Sequence, residues 1–300
     1  MFMACLRYNP AMNKDSKRQD PVYQTAKKLV DRNLAVMDGP AALTPEQVHE
    51  VRVCTKKLRA LIQMYRPHCG KNAIKAVEKK TKRIADQYSG ARDAQVMHQT
   101  LVQLAEMYCA EQGEDVAPLL AHYADANAKI QQVSPHSEFD LQQAFSKLMD
   151  SWQKKIRPKA NTDFALGLEF SYQQARKLAF EAETLDQDEC YHHCRKWVKY
   201  YLYQINLFVN KNDSIDELVD SLKALAELLG LFHDRCVLEA SLNGLLQSQP
   251  SPNLALESAC LLMLSWLVEQ KRLDKANCQN FFEQLFSHSN SPVPKDRINL

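Results

Sequence analysis

Apolar residues recur along this chain at intervals of three and four positions, the spacing that collects them on one face of an α-helix. Runs of β-branched residues are short and only seven glycines are present, so the strand signal is weak. The pattern predicts an all-α protein with a first set of helices near residues 22–38, 45–66, 70–89, 92–110, 115–133 and 138–157. A second set is predicted near residues 163–184, 188–210, 213–230, 234–248, 253–271 and 275–287.

Signals at the predicted helix ends divide the chain into two halves. Thr44 before Pro45 is typical of a helix N-terminus, and glycines such as Gly70 and Gly230 are interpreted as helix stops. Pro158 and its short polar neighbours interrupt the helical pattern near the middle of the chain. We therefore predict a disordered N-terminal arm over 1–20, helical halves over 21–158 and 159–288, and a disordered tail over 289–300.

A stripe of basic and histidine residues at helical spacing occurs in both halves. The first copy steps by three, four and three through His49, Arg52, Lys56 and Arg59. The second copy repeats the first two of these steps through His192, Arg195 and Lys199. Neighbouring like charges on an exposed helix repel by roughly 0.2–0.5 kcal/mol per pair. An extended anion that contacts both helices is therefore the simplest reason to keep these charges together.

The charge of the chain is concentrated rather than large. Its formal net charge is only +2, yet the segment between Pro45 and Arg92 holds twelve Lys and Arg against four Asp and Glu. A further stripe in this segment consists of Lys75, Lys79, Lys82 and Arg83. These four residues are interpreted either as additional anion ligands or as a solvated helix face.

Several classes of protein do not fit the sequence. No run reaches the roughly 18 uncharged apolar residues of a membrane span, so we expect no membrane partner. The N-terminus lacks the apolar region of a secretory signal, and nine cysteines without a compact spacing fit free thiols in a cytoplasmic protein. Cys190 and Cys194 share a helix face from which His192 points away, whereas a zinc site needs two separated ligand pairs. We therefore expect neither a metal nor another cofactor.

In their order along the chain, these motifs resemble the CHAD domain, the conserved histidine α-helical domain, over most of residues 22–287. The first half is similar to the family pattern in its basic helix and in the closing pair Arg92 and Asp93. In the second half, SYQQARK resembles the family's Tyr-x-x-x-Arg-Lys helix, and HHCRKWVK resembles its His-x-x-Arg-Lys-x-x-Lys helix. The segment LLGLFHD, which ends in His233 and Asp234, resembles the family's Leu-Leu-Gly-x-x-His-Asp turn.

The resemblance implies two pseudo-symmetric antiparallel helical bundles around a central basic groove that binds inorganic polyphosphate without cleaving it. Together with the stripes, it implies that the binding residues are His49, Arg52, Lys56, Lys57, Arg59, Lys75, Lys79, Lys82, Arg83, Arg92, Tyr172, Arg176, Lys177, His192, Arg195, Lys196, Lys199, Tyr203 and His233. Asp93 and Asp234 are expected to cap a helix or to orient a neighbouring cation. Phosphate and sulfate are expected to mimic the polymer. Polyphosphate granules and a separate polyphosphate-metabolising enzyme are the candidate partners in a cell.

Two other functions stay open at this point. His233 and Asp234 are also similar to the adjacent His-Asp pair of helical, metal-dependent phosphohydrolases, which would hydrolyse phosphate esters. A basic groove would also accept RNA, whose recognition usually adds exposed aromatic platforms among the cations. The candidate platforms are Tyr65, Tyr172, Tyr200, Tyr201 and Tyr203, although we expect these rings to pack between helices. Since no catalytic motif of a phosphate enzyme is recognised, we expect no catalysis and no nucleic-acid partner.

Overall fold

The protein folds into a bundle of α-helices, as the apolar periodicity predicts. The computed structural model describes residues 20–37, 43–88, 90–113, 116–131, 139–159, 161–248 and 253–300. Its helices are α1 (Pro21–Ala35), α2 (Pro45–Gln63), α3 (Lys71–Asp86), α4 (Gly90–Gln112), α5 (Ala117–Gln131), α6 (Leu141–Lys155), α7 (Ala165–Leu185), α8 (Asp188–Phe208), α9 (Asp213–Ser248) and α10 (Leu254–Phe286). In this part of the chain, no helix is long and apolar enough to cross a membrane.

The start of α2 confirms the chemistry read from the sequence. The Thr44 hydroxyl accepts a hydrogen bond from the Gln47 backbone N–H, and the Gln47 side chain accepts one from the Thr44 backbone N–H. This reciprocal pair satisfies two donors that a helix start would otherwise leave unpaired. Because Pro45 occupies the first turn, where no backbone donor is needed, the start of the basic helix is well defined.

Two groups of four helices have the same order of neighbours. In the first half α2 packs on α1 and α3, and α6 packs on the same two helices. In the second half α8 packs on α7 and α9, and α10 packs on the same two helices. Each group encloses a core of its own, around Trp152 in the first half and around Phe232 in the second. A third core joins α4 and α5 to the C-terminal part of α9 and the N-terminal part of α10. The two halves are therefore interlocked.

The predicted helix stop at Gly230 is wrong. A single helix, α9, runs from Asp213 to Ser248, and α10 likewise replaces the two helices predicted near 253–271 and 275–287. A glycine inside a helix costs only about 1 kcal/mol, and the neighbouring Leu229 and Phe232 are buried in the core. Burial of this apolar face outweighs the local preference of glycine for a helix end.

The predicted disorder of the C-terminal tail is also wrong. The Ser291 backbone N–H donates to a Glu169 carboxylate oxygen at 2.9 Å, and Val293 is buried. Further along, Val209 and Ile298 form an antiparallel bridge, and the Asn299 backbone N–H donates to the Phe208 carbonyl at 2.7 Å. These contacts fix the segment across α7 and the end of α8. Of the predicted N-terminal arm, residues 1–19 lie outside the described residues.

Candidate functional site

The two basic helices meet where the two halves of the molecule touch. At this contact the Gln204 side chain of α8 donates from Nε2 to the Ala60 carbonyl of α2 at 2.7 Å. Close by, a Cβ on Gly167 of α7 would lie 2.3 Å from the Met64 carbonyl oxygen, a distance that no side chain allows. Glycine is therefore needed for α7 to approach the end of α2, and this approach brings the basic residues of α2 and α8 together.

A buried tyrosine lies close to two cations at the contact of α2 and α8. The Tyr200 ring is only 4% exposed. The Arg59 guanidinium carbon lies 6.0 Å from the ring centroid, and Lys196 Nζ lies 5.8 Å from it. Burial raises the pKa of the Tyr200 hydroxyl to about 12. Burial also lowers the pKa of the Lys196 ammonium, and the positive charges of Arg59 and Arg66 lower it further.

One arginine beside this contact has a carboxylate partner. Arg66 lies seven residues after Arg59, and its Nη2 donates to the Glu78 carboxylate of α3 at 3.1 Å. Gln63 donates to the same carboxylate at 2.7 Å. The sequence prediction did not include Gln63, Arg66 or Glu78, and it named Tyr200 only as a candidate platform for stacking on RNA. The seven-residue step from Arg59 to Arg66 was the one signal that could have found a member of this set.

On the side of α8 that faces α9, Arg195 lies against Gly230. A Cβ on this glycine would lie 3.4 Å from Arg195 Nη2 and 3.5 Å from Nε, so the guanidinium rests on the backbone of α9. The Nε atom is buried and has no hydrogen-bond partner in the described part of the chain. Burial lowers the pKa of the neighbouring Lys199 ammonium, and Arg195 lowers it further. Burial raises the pKa of the Asp234 carboxyl, while Arg195 and Lys199 oppose that shift.

Two predicted histidines from different helices form a direct contact. His192 Nδ1 of α8 and His233 Nδ1 of α9 are 3.1 Å apart, and the ring centroids are 4.4 Å apart. Both rings are partly buried. They lie on the same side of α8 as Arg195, one turn away along the helix.

Four of these residues are grouped here as the cationic cluster: Arg59, Arg195, Lys196 and Lys199. None of the ion pairs formed within the described ranges includes a member of this cluster. All four side chains are partly buried, and burial lowers the pKa of the two lysine ammonium groups. An anion that contacts this cluster would relieve both the mutual repulsion and the loss of hydration.

The structure gives two predicted ligands a different role. Tyr172 is 1% exposed, and its hydroxyl donates to the His288 carbonyl at 2.8 Å. Arg176 donates from Nε to the Phe286 carbonyl at 3.0 Å. Both residues bond carbonyls at the C-terminal end of α10 or just beyond it, where helices leave such groups unpaired. The prediction that Tyr172 contacts polyphosphate is wrong because its hydroxyl is buried and already bonded.

Two further cations are paired within the protein. Arg52 donates from Nη1 to the Tyr88 carbonyl, just after α3, at 2.9 Å. Lys177 forms an exposed ion pair with Glu181 at 3.4 Å. The contact of Arg52 shows that part of its function is structural.

The remaining predicted residues lie around the cluster or outside the description. Three of them are partly buried: Lys57, Tyr203 and His233. The exposed ones are His49, Lys56, Lys75, Lys79, Lys82 and Arg83. The side chains of Arg92 and Asp93 lie outside the described residues. The prediction that Asp234 caps a helix start is wrong, since it lies inside α9. Its position beside Arg195 and Lys199 fits the alternative prediction that it orients a cation.

The donor atoms near the histidine pair do not form a metal site in the part of the chain that the structure describes. Within the described residues, no group of three or more His, Cys, Asp or Glu side chains converges to hold a metal ion. Asp234, the proposed partner of His233 in the phosphohydrolase alternative, instead lies near Arg195 and Lys199.

Comparisons with known proteins agree with the resemblance seen in the motifs. A family model described as the CHAD domain matches residues 24–243. The crystal structure of the CHAD domain from the plant Ricinus communis is similar, with a TM-score of 0.62 and 18% identity, over 92% of this chain and 93% of that chain. PptA from Streptomyces chartreusis is similar with a TM-score of 0.59 and 13% identity, over 89% of this chain and 96% of that chain. No curated protein matches the sequence. At these identities the two structures support the fold alone.

Proposed function

Because this chain belongs to the CHAD domain family, we propose that it binds inorganic polyphosphate through the cationic cluster and does not cleave it. The family is associated with polyphosphate binding. The observation that carries the proposal is the absence, among the described residues, of a carboxylate within ion-pair distance of Arg59, Arg195, Lys196 or Lys199. Four partly buried cations without such partners are costly in the free protein and favourable once a polyanion lies beside them.

The residue types in the cluster suit a chain of phosphate groups. Each arginine offers a planar fork that can donate to two phosphate oxygens, while each lysine supplies a compact positive charge. Arg59 and Lys196 both lie close to Tyr200, whereas Arg195 and Lys199 lie near α9. A polymer offers phosphate oxygens along its length, so it can contact more of these four cations than a single phosphate ion can.

The aromatic residues favour polyphosphate over single-stranded RNA. Four of the five candidate stacking platforms are buried: Tyr65, Tyr172, Tyr200 and Tyr201 are at most 4% exposed. A buried ring cannot stack on a nucleic-acid base, and stacking supplies about 1–3 kcal/mol per base in proteins that bind single strands. RNA would therefore gain charge contacts from the cluster but little else, whereas polyphosphate needs only the charge contacts.

The contacts of Asp234 favour a binding role over hydrolysis. A catalytic His-Asp pair would direct both side chains at a metal ion, but Asp234 lies near Arg195 and Lys199, and His233 contacts His192. We infer that Asp234 orients the two cations for the polymer. Recruitment to polyphosphate granules is the cellular consequence that we propose.

The proposal is tested by measuring long-chain polyphosphate binding across a salt series with the metal-free protein. The double variant Arg59→Ala with Arg195→Ala should weaken binding by at least about hundredfold, because each contact to a charged group is worth about 1.5–3 kcal/mol. The slope of log affinity against log salt should fall by about 1.4, by analogy with about 0.7 per cation on single-stranded nucleic acid.

A charge-matched control separates the cluster from general electrostatics. The double variant Arg272→Ala with Lys295→Ala removes the same charge from exposed positions on α10 and the tail and should bind like the wild type. Equal losses in both double variants would show that only net charge matters. RNA as competitor and the polymer length after incubation test the two alternatives. Displacement by RNA at equal phosphate concentration, or metal-dependent shortening of the polymer, would contradict the proposal.

A further inference from the structure

The histidine pair between α8 and α9 has room for one proton between its facing nitrogens. His192 Nδ1 and His233 Nδ1 are 3.1 Å apart, a hydrogen-bond distance that joins two atoms of the same kind. In a neutral pair one Nδ1 carries the proton and the other accepts it, so the two rings are different tautomers. As a result, only the ring that accepts at Nδ1 carries a proton on Nε2.

Adding one proton changes the pair without breaking it. If the ring that donates through Nδ1 is also protonated on Nε2, the bond between the rings persists and both Nε2 atoms become donors. The pair then carries one positive charge and one more donor than before. A second added proton would place two Nδ1–H groups against each other at 3.1 Å. The observed contact therefore accommodates only one proton more than the neutral pair holds.

The surroundings oppose this proton in the free protein. Burial lowers the pKa of both His192 and His233. The pKa of His192 is lowered further by His233, His193 and Arg195. The pKa of His233 is lowered further by Arg195. Glu189, one turn before His192 on α8, favours the proton on both rings. On α9, Asp234 faces Arg195 and Lys199. On α10, Lys271 and Lys275 are paired with Asp188. The free pair is therefore neutral at neutral pH.

Polyphosphate bound at Arg195 would favour the additional proton on the histidine pair. Arg195 is three residues from His192 and acts on both rings, so an anion beside its guanidinium adds negative charge close to the pair. We propose that the His192–His233 pair takes up one proton when the cationic cluster binds polyphosphate, so that affinity for the polymer rises as the pH falls. This inference rests on the proposed function and adds to it a proton that is bound together with the polymer.

The number of protons taken up can be measured directly. Calorimetric titrations with long-chain polyphosphate, in buffers of different ionisation enthalpy at about pH 6.5, should give an uptake approaching one proton per binding site for the wild type. His233→Gln and His192→Gln should each remove most of this uptake, because glutamine hydrogen-bonds but does not titrate. The matched control His122→Gln, on α5, should keep it.

The readout in the second measurement is the ratio of affinities at two pH values, not the affinity itself. One coupled proton raises affinity by at most about tenfold per pH unit, and the wild type should approach this between about pH 8 and pH 6. Both glutamine variants should show a flatter dependence than the wild type and His122→Gln. The polymer's own end groups titrate equally in all four proteins, so the difference between variants isolates the pair.

The outcomes for the inference and for the proposed function differ. Tight, salt-sensitive binding with no proton uptake by the wild type, or with equal uptake in the glutamine variants, overturns the inference and leaves the proposed function standing. No polymer binding at any pH overturns the proposed function itself. If a glutamine variant does not fold, NMR titration of the histidine ring protons in the wild type, with and without polymer, decides the question. An unchanged titration of both rings then overturns the inference.

Discussion

Charged side chains are concentrated in two regions of this molecule, and the lysines of the two regions differ in whether they form ion pairs with carboxylates. Where α8, α9 and α10 meet, Lys271 lies 2.5 Å from Asp188 and 2.6 Å from Glu239. Lys275 lies 2.7 Å from Asp186 and 3.1 Å from Asp188. We call these five residues the paired network. In the cationic cluster, by contrast, no ion pair forms with a carboxylate of the described residues.

The pKa shifts of the lysines show how the paired network and the cationic cluster differ in their effect on stability. In the paired network burial opposes the charge of Lys271, but hydrogen bonds to Asp188 and Glu239 outweigh burial and raise its pKa. In the cationic cluster burial lowers the pKa of Lys196 and Lys199, and nearby arginines act in the same direction. Glu78 for Lys196, and Glu227 and Asp234 for Lys199, oppose this shift without reversing it. The charges of the paired network are neutralised within the protein and stabilise the fold, whereas the cationic cluster becomes more stable when an external anion binds to it. A protein gives up some stability for such a site.

The largest expected effect concerns the buried pair next to the paired network. Arg235 of α9 is 2% exposed and bonds Asp274 of α10, which is 5% exposed. Asp274→Ala should lower the free energy of unfolding by about 3–5 kcal/mol, because it leaves a buried guanidinium without its partner. Urea denaturation measures the loss. The polyphosphate affinity of the folded variant should match that of the wild type.

An exposed ion pair provides the control for this prediction. Asp220→Ala removes the partner of Lys223 on the surface of α9 and should leave unfolding unchanged, since exposed pairs contribute little. If Asp274→Ala were equally harmless, or if it weakened polymer binding as much as the loss of Arg59 and Arg195, the distinction between the two charged regions would fail.

A smaller effect of opposite sign is expected in the cationic cluster. Lys196→Met keeps the length of the side chain but removes its charge, which burial and Arg59 disfavour. The variant should gain about 0.5–1 kcal/mol in unfolding free energy and lose about tenfold in polyphosphate affinity. Lys271→Met is the matched control, and it should be destabilised because Glu239 loses its lysine partner and Asp188 keeps only Lys275.

The pH dependence of stability gives a second measurement on the same variants. The folded state holds the Lys196 proton less tightly than the unfolded state, so this residue makes stability rise with pH up to its ordinary pKa of 10.5. Lys196→Met should lose that rise. Lys271 holds its proton more tightly when folded, and its contribution is lost as the pH rises above 10.5. Two variants with the same alkaline profile would contradict the comparison.

Much of this fold was predictable because local rules and packing agree in most helices. The cap at Thr44 and the apolar periodicity of α2 and α8 required no tertiary knowledge. The stop at Gly230 failed because continuous burial of α9 outweighs a local preference. The tail failed for a related reason, since its polar sequence gives no sign that Glu169 and Phe208 offer partners to its backbone.

The candidate site was predictable in composition but not in arrangement. Spacing along a helix identified Arg195 and Lys199, because residues three and four apart share a face. Spacing could not show that Tyr172 points into the core, nor that Tyr200 lies close to cations of two different helices. Such facts depend on which helix packs on which face. The meeting of His192 and His233 belongs to the same class.

The smallest expected effect tests whether packing against Gly230 positions Arg195. An alanine Cβ at this site would lie 3.4 Å from the guanidinium, which is ordinary contact, so the helix should tolerate it. Gly230→Ala should gain up to about 0.8–1.0 kcal/mol in unfolding free energy through helix propensity. Polyphosphate affinity should fall about twofold, the size of a perturbation of about 0.5 kcal/mol, because the methyl group restricts the arginine.

Gly244 of the same helix separates these two contributions. It is exposed, and a Cβ there would meet nothing within 4 Å. Gly244→Ala should therefore give a similar gain in stability with no change in affinity. Thermal unfolding and polymer titration of both variants, at one salt concentration, measure the difference. If Gly230→Ala bound as tightly as Gly244→Ala, packing against Gly230 would not position Arg195 for the polymer. The lack of a carboxylate partner within the described residues would then be the one feature that distinguishes the cationic cluster from the paired network.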